Sequence, residues 1–155
     1  MDQEDPYERE DSPEEGLQLI VFRLDREWYG VEISKVIRVL KAGKITYLPS
    51  CPGHIAGIVN FRGSILSVTD LKTIFCLPHA ELTEKSRIIV VESEVLETGL
   101  LVDEVVETVE VPIRKIEPTL STLPADGAKY IKGQCGVAEK LVAVLNVEKV
   151  LEKRA

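Results

Sequence analysis

Few side chains in this sequence have the types and spacing that chemistry requires. Cys51 lies three residues before His54, a spacing that could place a thiolate beside an imidazole base. Pro52 and Gly53 between them predict a turn, and no third residue is evident that would orient the histidine. The alternatives are a Cys–His nucleophile, which thiol-reactive probes would label selectively at Cys51, and a simple surface histidine.

Two aspartates could form a pair of carboxylates, because Asp70 and Asp103 each follow an apolar run. The alternative is that they accept hydrogen bonds from turn backbones or pair with arginines inside the fold. The sequence lacks a P-loop, a G-x-G-x-x-G loop, a G-x-S-x-G elbow and an H-E-x-x-H helix. We therefore predict a protein that is not an enzyme and uses no cofactor.

The three cysteines argue against a disulfide framework or a metal site. Their number is odd, and no two of them have C-x-x-C spacing. Free thiols are typical of a reducing compartment. No run of about 20 apolar residues and no signal peptide is visible. We therefore predict a cytoplasmic protein that does not insert directly into a membrane.

The net charge of −7 lies in the N-terminal segment. Residues 1–16 contain eight acids and one base, whereas the rest of the chain has 18 of each. This segment has few apolar residues, which predicts a disordered tail, either an interaction or solubilising arm or an unconstrained terminus. The body has no basic stripe, and this argues against nucleic acid as a partner, including single strands bound by a small barrel.

Beyond the tail, short apolar runs rich in β-branched residues alternate with polar turns, which is typical of β-strands. We predict a helical turn near residues 34–36 and a final helix at 147–153 with Asn146 as its N-cap. About ten strands at this spacing predict a mainly β fold, barrel or sandwich. The polar connector near residues 78–86 is predicted to divide the body into two halves. The predicted strand regions are 17–33 (a hairpin), the segment that follows residue 36, 55–60 with 64–71 (a hairpin), 87–94, 98–111, and 130–137 with 140–147 (a hairpin).

The hairpin GIVNFRGSILSV (residues 57–68) has a polar tip that contains Arg62 beside an aromatic residue. A three-residue loop with Gly63 in the left-handed conformation would explain the glycine. Gly57 is compatible with a close backbone approach or with a strand bulge. A hairpin tip can be a turn only, or it can be a surface that contacts a partner.

Several segments in order along residues 17–151 resemble the CheW family of bacterial chemotaxis adaptors. The match is specific because the segments occur together; N-x-R-G alone would be weak. The matching segments are LIVFRLDREWYGVEI (19–33), P-x-x-P (49–52), I-x-G-I-V-N-F-R-G (55–63), V-x-D-L (68–71), LVDEV (101–105), YIKG (130–133) and LNVEKVL (145–151).

The resemblance implies two five-stranded SH3-like barrels that share a core, followed by a short C-terminal helix. It implies a non-enzymatic adaptor, monomeric alone and part of a multiprotein array, that couples chemoreceptors to a CheA-type histidine kinase. One barrel would dock on the kinase regulatory domain, and a groove between the barrels would hold the helical tip of the receptor. Such docking would recruit the protein to membrane-bound receptor arrays. A related adaptor that serves another output, such as pilus or gliding motility, is equally compatible.

The resemblance also implies which residues bind partners. Arg62 corresponds to the arginine characteristic of the family, which would contact a receptor or form an internal salt bridge. The family pattern has a glutamate where this sequence has Arg38, so either Arg62 pairs with another acid, such as Glu32 or Asp70, or the loop is arranged differently. For the apolar residues Val36, Val59 and Phe61, the alternative is burial in the core, above all for Val59. The implied partner-binding residues are Val36, Gly57, Val59, Asn60, Phe61, Arg62 and Gly63.

Overall fold

The structure is a computed structural model, and two of the sequence predictions fall on residues that it does not describe. These are the acidic tail and Cys51. Of the predicted tail, only Gly16 is described, and it begins the first strand. Among the described residues, no helix is long and apolar enough to cross a membrane. The described residues are 16–43, 45–47, 53–94, 96–118 and 129–154.

The described residues form ten strands and two short α-helices, which confirms the predicted mainly β fold. A turn of 3-10 helix follows β2 at Ile33–Lys35, near the position predicted for a helical turn. The elements are β1 (Gly16–Leu24), β2 (Glu27–Glu32), β3 (Val36–Lys41), β4 (Ile55–Phe61), β5 (Ser64–Asp70), α1 (Leu71–Ile74), β6 (Arg87–Glu92), β7 (Glu97–Val102), β8 (Glu104–Pro112), β9 (Ile131–Val137), β10 (Lys140–Leu145) and α2 (Val147–Arg154).

The strands form two five-stranded sheets that interleave along the chain. The first sheet has the order β8-β1-β2-β10-β9 and the second has the order β3-β6-β7-β5-β4. The predicted divide near residues 78–86 is therefore wrong, because that connector joins two strands of the second sheet. Parallel pairing of β2 with β10, and of β5 with β7, brings strands together that are distant in sequence. The predicted single run at 98–111 is also two strands, one in each sheet, separated by Asp103.

Each sheet curls towards an SH3-like barrel, but the strand ladder is not closed. In the second sheet, an isolated bridge joins Thr46 to Ile58; in the first, a bridge joins Glu117 to Gln134. Next to the first bridge, the β4–β5 pairing shifts register between Ile55 and Gly57. A Cβ atom on Gly57 would collide with the Thr46 carbonyl oxygen. The bulge predicted for Gly57 is confirmed, and the close backbone approach that it permits is to Thr46 within its own barrel.

Strands β1 and β6 explain how two barrels can share a core. In β1, Leu19 and Val21 face the core of the first sheet, whereas Phe22 packs into a larger core that contains residues of both sheets. In β6, Ile88 and Ile89 divide in the same way. Both faces of these strands are buried, so they read as continuous apolar runs instead of alternating ones. We call the larger cluster the shared core.

The β4–β5 hairpin of the second sheet and the β9–β10 hairpin of the first sheet are equivalent, since each forms one edge of its sheet. Phe61 pairs with Ser64 across the β4–β5 turn, and Val137 pairs with Lys140 across the β9–β10 turn. Each hairpin is followed by a helix with a side-chain cap. Asp70 accepts a hydrogen bond from the Lys72 N–H, and Asn146 accepts one from the Lys149 N–H at 3.2 Å, as predicted for α2.

We expect Gly57→Ala to destabilise the fold by about 1–3 kcal/mol, because the new methyl group overpacks the point where β4 meets Thr46. Urea unfolding monitored by circular dichroism measures the change. Gly136→Ala is the matched control: it also lies in a strand, and a Cβ atom there meets nothing within 4 Å. Equal stability of the two variants would contradict the close approach at Gly57.

Candidate functional site

Among the described residues, the side chains that could take part in chemistry do not assemble into a catalytic group. His79 Nε2 lies 2.8 Å from Asp70 Oδ2 and 3.0 Å from Thr73 Oγ1. A single ring nitrogen faces both groups, whereas a triad needs one nitrogen for the nucleophile and the other for the acid. In the part of the chain that the structure describes, no cluster of three or more His, Cys, Asp or Glu side chains could hold a metal ion.

The two aspartates stabilise different elements and do not form a carboxylate pair. Asp70 caps α1 and contacts His79. Asp103 Oδ2 accepts a hydrogen bond from the Asp25 N–H at 2.7 Å, and its Oδ1 lies 2.8 Å from the Lys72 ammonium. Both aspartates therefore have the structural roles given as the alternative, which were hydrogen bonds from turn backbones and ion pairs inside the fold. The close ionic partner of Asp103 is a lysine, whereas we expected an arginine.

The β4–β5 tip is a tight two-residue turn, not the three-residue loop that we expected. Arg62 and Gly63 lie between the paired residues Phe61 and Ser64, with φ of 55° and 78°. Two positive φ values are typical of a type I′ turn, whose twist suits a hairpin. The Gly63 N–H donates to Asn60 Oδ1 at 3.1 Å. The left-handed glycine is confirmed, and the Asn60 side chain stabilises the turn.

Arg62 is exposed, and its guanidinium carbon lies 5.0 Å from the centre of the Phe61 ring. Neither acid proposed for it is a partner: Glu32 pairs with Lys132, and Asp70 contacts His79. Within the described residues Arg62 forms no ion pair. What orients Arg62 is thus an aromatic ring below it and a left-handed backbone, while its charge faces solvent.

The seven predicted partner-binding residues divide by exposure. Asn60, Arg62 and Gly63 are exposed and form the tip. Val36 is half-buried against the shared core. Gly57 is buried, and Val59 and Phe61 lie in the core of the second sheet, so they support the tip from inside. We call Asn60, Arg62, Gly63 and the adjacent Ile65, which is 68% exposed, the tip surface.

A second surface, which the sequence reasoning missed, is a groove of about 470 Å³ between the first sheet and the segment after α1. Leu141 in this groove is 64% exposed, which is unusual for a large apolar side chain when other apolar groups surround it. None of the seven predicted residues lines it. We call it the apolar groove; its apolar lining includes Trp28, Tyr29, Phe75, Leu77, Leu141 and Ala143.

The apolar groove could have been located from the alternation of inward-facing and outward-facing side chains in KLVAVL, residues 140–145. Val142 and Val144 point into the first sheet's core, so Leu141 and Ala143 lie on the opposite face. In the equivalent hairpin, Ile65 occupies the same position relative to the turn. An apolar residue on the outer face of each hairpin is visible in the sequence once the two hairpins are aligned.

An aromatic row forms the floor of the apolar groove and links the two barrels. Tyr29 stacks on Phe22 with ring centres 5.9 Å apart, and Phe75 lies 5.1 Å from Tyr29 and 6.3 Å from Tyr130. Burial, together with a hydrogen bond to Glu27, raises the pKa of Tyr29 well above its usual range. The hydroxyl therefore stays protonated and donates to the Glu27 carboxylate.

Comparison with known proteins identifies the family of the chain. The family model for the CheW-like domain matches residues 18–155. The chain belongs to the CheW-like family. The chemotaxis protein CheW of Bacillus subtilis is 28% identical over 140 residues, covering 90% of each chain. Protein FrzA of Myxococcus xanthus is 29% identical over 138 residues, covering 87% of this chain and 85% of FrzA.

A solved structure supports the same assignment. The CheW-like chain superimposes on the scaffolding protein TtCheW from Thermoanaerobacter tengcongensis with a TM-score of 0.78 and 31% sequence identity. The superposition covers 94% of this chain and 91% of that protein. The fold predicted from the resemblance, two five-stranded sheets with a C-terminal helix, is confirmed.

One ion pair outside both surfaces makes stability depend on pH. Lys35 Nζ lies 2.6 Å from Glu148 Oε2 on α2. This hydrogen bond lowers the pKa of the Glu148 carboxyl below its usual range and raises the pKa of the Lys35 ammonium above its usual range. A lowered carboxyl pKa stabilises the fold above the unfolded-state pKa, and this contribution is lost as the pH falls through the folded-state pKa.

We expect Lys35→Met to reduce the free energy of unfolding by at most about 1 kcal/mol at pH 7, since both side chains are partly exposed. The deficit should shrink as the pH falls towards 3, because protonated Glu148 no longer pairs. Urea unfolding at several pH values measures it. In a Glu148→Gln background, the stability deficit of Lys35→Met should not depend on pH. If the deficit still shrinks as the pH falls, a group other than Glu148 is responsible.

Proposed function

We propose that this CheW-like protein is a non-enzymatic adaptor that couples chemoreceptors to a CheA-type histidine kinase. The match of the CheW-like domain to residues 18–155 carries the proposal. An adaptor needs two docking surfaces and no reactive group. The tip surface and the apolar groove are candidates for those surfaces. An adaptor for pilus or gliding motility would use the same two surfaces and differ in which kinase and receptor it binds.

The receptor is assigned to the tip surface. A rigid turn presents the Arg62 guanidinium to solvent, and Ile65 provides an apolar contact beside it. A charge without an internal partner, next to an exposed apolar side chain, suits a helical tip that carries acidic and apolar groups. The buried residues Val59 and Phe61 act indirectly by holding the hairpin in place.

The kinase is assigned to the apolar groove. The exposed Leu141, the Trp28 ring and the aromatic floor provide the apolar centre that protein interfaces use as anchors. Arg26 and Glu27 at its margin supply a polar rim. A partner barrel, such as the kinase regulatory domain implied by the resemblance, would insert apolar side chains here.

The two surfaces belong mainly to different sheets, since the tip lies on β4 and β5 whereas Trp28 and Leu141 lie on β2 and β10. Both partners can therefore bind at once, which coupling requires. Binding of a monomer to membrane-bound receptors on one side and to kinase on the other would recruit it to receptor arrays. Repeated weak contacts in such an array would supply avidity.

We expect Leu141→Glu to weaken kinase binding at least about tenfold, because it places a charge in an apolar contact, while receptor binding stays unchanged. Ile65→Glu is the matched variant: it substitutes the equivalent exposed residue of the other hairpin and should weaken receptor binding only. Titration calorimetry with purified kinase regulatory domain and with a receptor fragment measures both affinities. If both variants weaken the same partner, or neither weakens any, the assignment of surfaces is wrong.

We expect Arg62→Ala to fold normally and to bind kinase, but to lose most receptor-dependent kinase activation. The reason is that the guanidinium faces solvent and makes no internal ion pair among the described residues. A reconstituted phosphorylation assay measures activation, with Lys149→Ala on the exposed face of α2 as the control. Intact activation would contradict a contact at Arg62, and an unfolded variant would show that its main role is internal.

A further inference from the structure

Asp103 occupies the one position at which the chain passes from the second sheet back to the first. β7 ends at Val102 and β8 begins at Glu104, so no linker separates the sheets here. The Asp103 N–H donates to the carbonyl of Arg23 at 3.0 Å, which ties the crossover to the end of β1. Whatever restrains Asp103 restrains the junction of the two sheets.

The Asp103 carboxylate binds one element from each side of this junction. On the side of the second sheet, its Oδ1 lies 2.8 Å from Nζ of Lys72 in α1, which directly follows β5. On the side of the first sheet, its Oδ2 accepts the Asp25 N–H at 2.7 Å, in the turn between β1 and β2. Asp25 has a φ of 56°, so the turn that presents this N–H is itself constrained.

Burial makes this contact more than a surface ion pair. The Lys72 side chain is 9% exposed, and that of Asp103 is 22% exposed. A lysine so buried needs a compensating charge, because an isolated ammonium is costly to remove from water. Arg23 lies 3.9 Å from Asp103 Oδ2, too far to replace the ammonium at Oδ1. The pair thus has a strong preference for one geometry.

The same short helix also carries the aromatic contact between the barrels. Phe75, directly after α1, packs between Tyr29 of β2 and Tyr130 before β9. Lys72 and Phe75 therefore hold α1 against the first sheet at two points, one charged and one aromatic. Aromatic packing tolerates sliding, whereas a close ion pair with a largely buried lysine restricts the distance between its two charged groups.

We infer that the Lys72–Asp103 ion pair fixes the orientation of the tip surface relative to the apolar groove, and that both residues are positioning residues for coupling. This inference rests on the proposed function for its consequence, but not for its geometry. Neither residue lies in the tip surface or in the groove lining. Loss of the pair should leave each docking surface intact and change only how the two surfaces are held relative to each other.

The geometric test measures the distance between the sheets. Spin labels at Ile65→Cys and Leu141→Cys, in a background with the three native cysteines replaced, report one distance distribution by pulsed electron paramagnetic resonance. We expect Lys72→Met to broaden this distribution at least about twofold or to shift its maximum, while Lys72→Arg keeps the parent distribution. Lys132→Met is the matched control, because its ion pair with Glu32 joins β9 and β2 within the first sheet.

The functional test uses the unlabelled chain with its native cysteines. In Lys72→Met, the separate affinities for kinase and receptor should change less than about twofold, whereas receptor-dependent kinase activation should fall about tenfold, within the usual range of coupling between sites. Lys72→Arg should restore activation. A purely structural role would lower the unfolding temperature and both affinities together, and would not separate coupling from binding.

The outcomes separate the inference from the proposed function. A parent-like distance distribution in both Lys72→Met and Asp103→Asn overturns the inference, whatever the partners are. An altered distribution with no kinase or receptor binding by the parent protein supports the orientation role and overturns the proposed function. If Lys72→Met does not fold, Asp103→Asn provides the test, since asparagine can still accept the Asp25 N–H while it removes the charge.

Discussion

The shared core is the constraint on which the rest of the structure depends. Strands β1 and β6 bury both faces, one towards their own sheet and one towards the other sheet. Neither sheet can bury its apolar surface alone, so the two must fold around each other. The interleaved order of strands follows, because the chain enters the first sheet, forms the second sheet completely and then returns at Asp103.

This constraint also determines which surfaces are left for partners. The inner faces of β4, β5 and β10 are occupied by the cores, so only the outer faces and the turns are available. The two equivalent hairpins each leave one apolar side chain outside, Ile65 and Leu141. The duplicated barrel thus leaves two similar but separate apolar positions exposed, which suits the proposed adaptor that holds two partners at once.

The two aspartates that the sequence offered as candidates have structural roles: Asp70 caps a helix and contacts His79, and Asp103 joins the two sheets. An adaptor transmits a signal through relative position, so its polar residues are best used to define geometry. The Lys72–Asp103 pair is the clearest example, since it lies at the junction between the two sheets.

The sequence by itself determined most of the strands, though not the break at Asp103, together with the N-cap of α2 and the family, because β-branched runs, turn residues and capping residues act locally. It also identified the exposed tip at Arg62 and Gly63. Only the tertiary structure decided which strands share a sheet, since parallel pairing of β2 with β10 depends on contacts distant in sequence. The same holds for the apolar groove, the environment of Arg62 and the partner of Asp103. These features form where segments distant in sequence pack together, and a local pattern of residues does not specify such contacts.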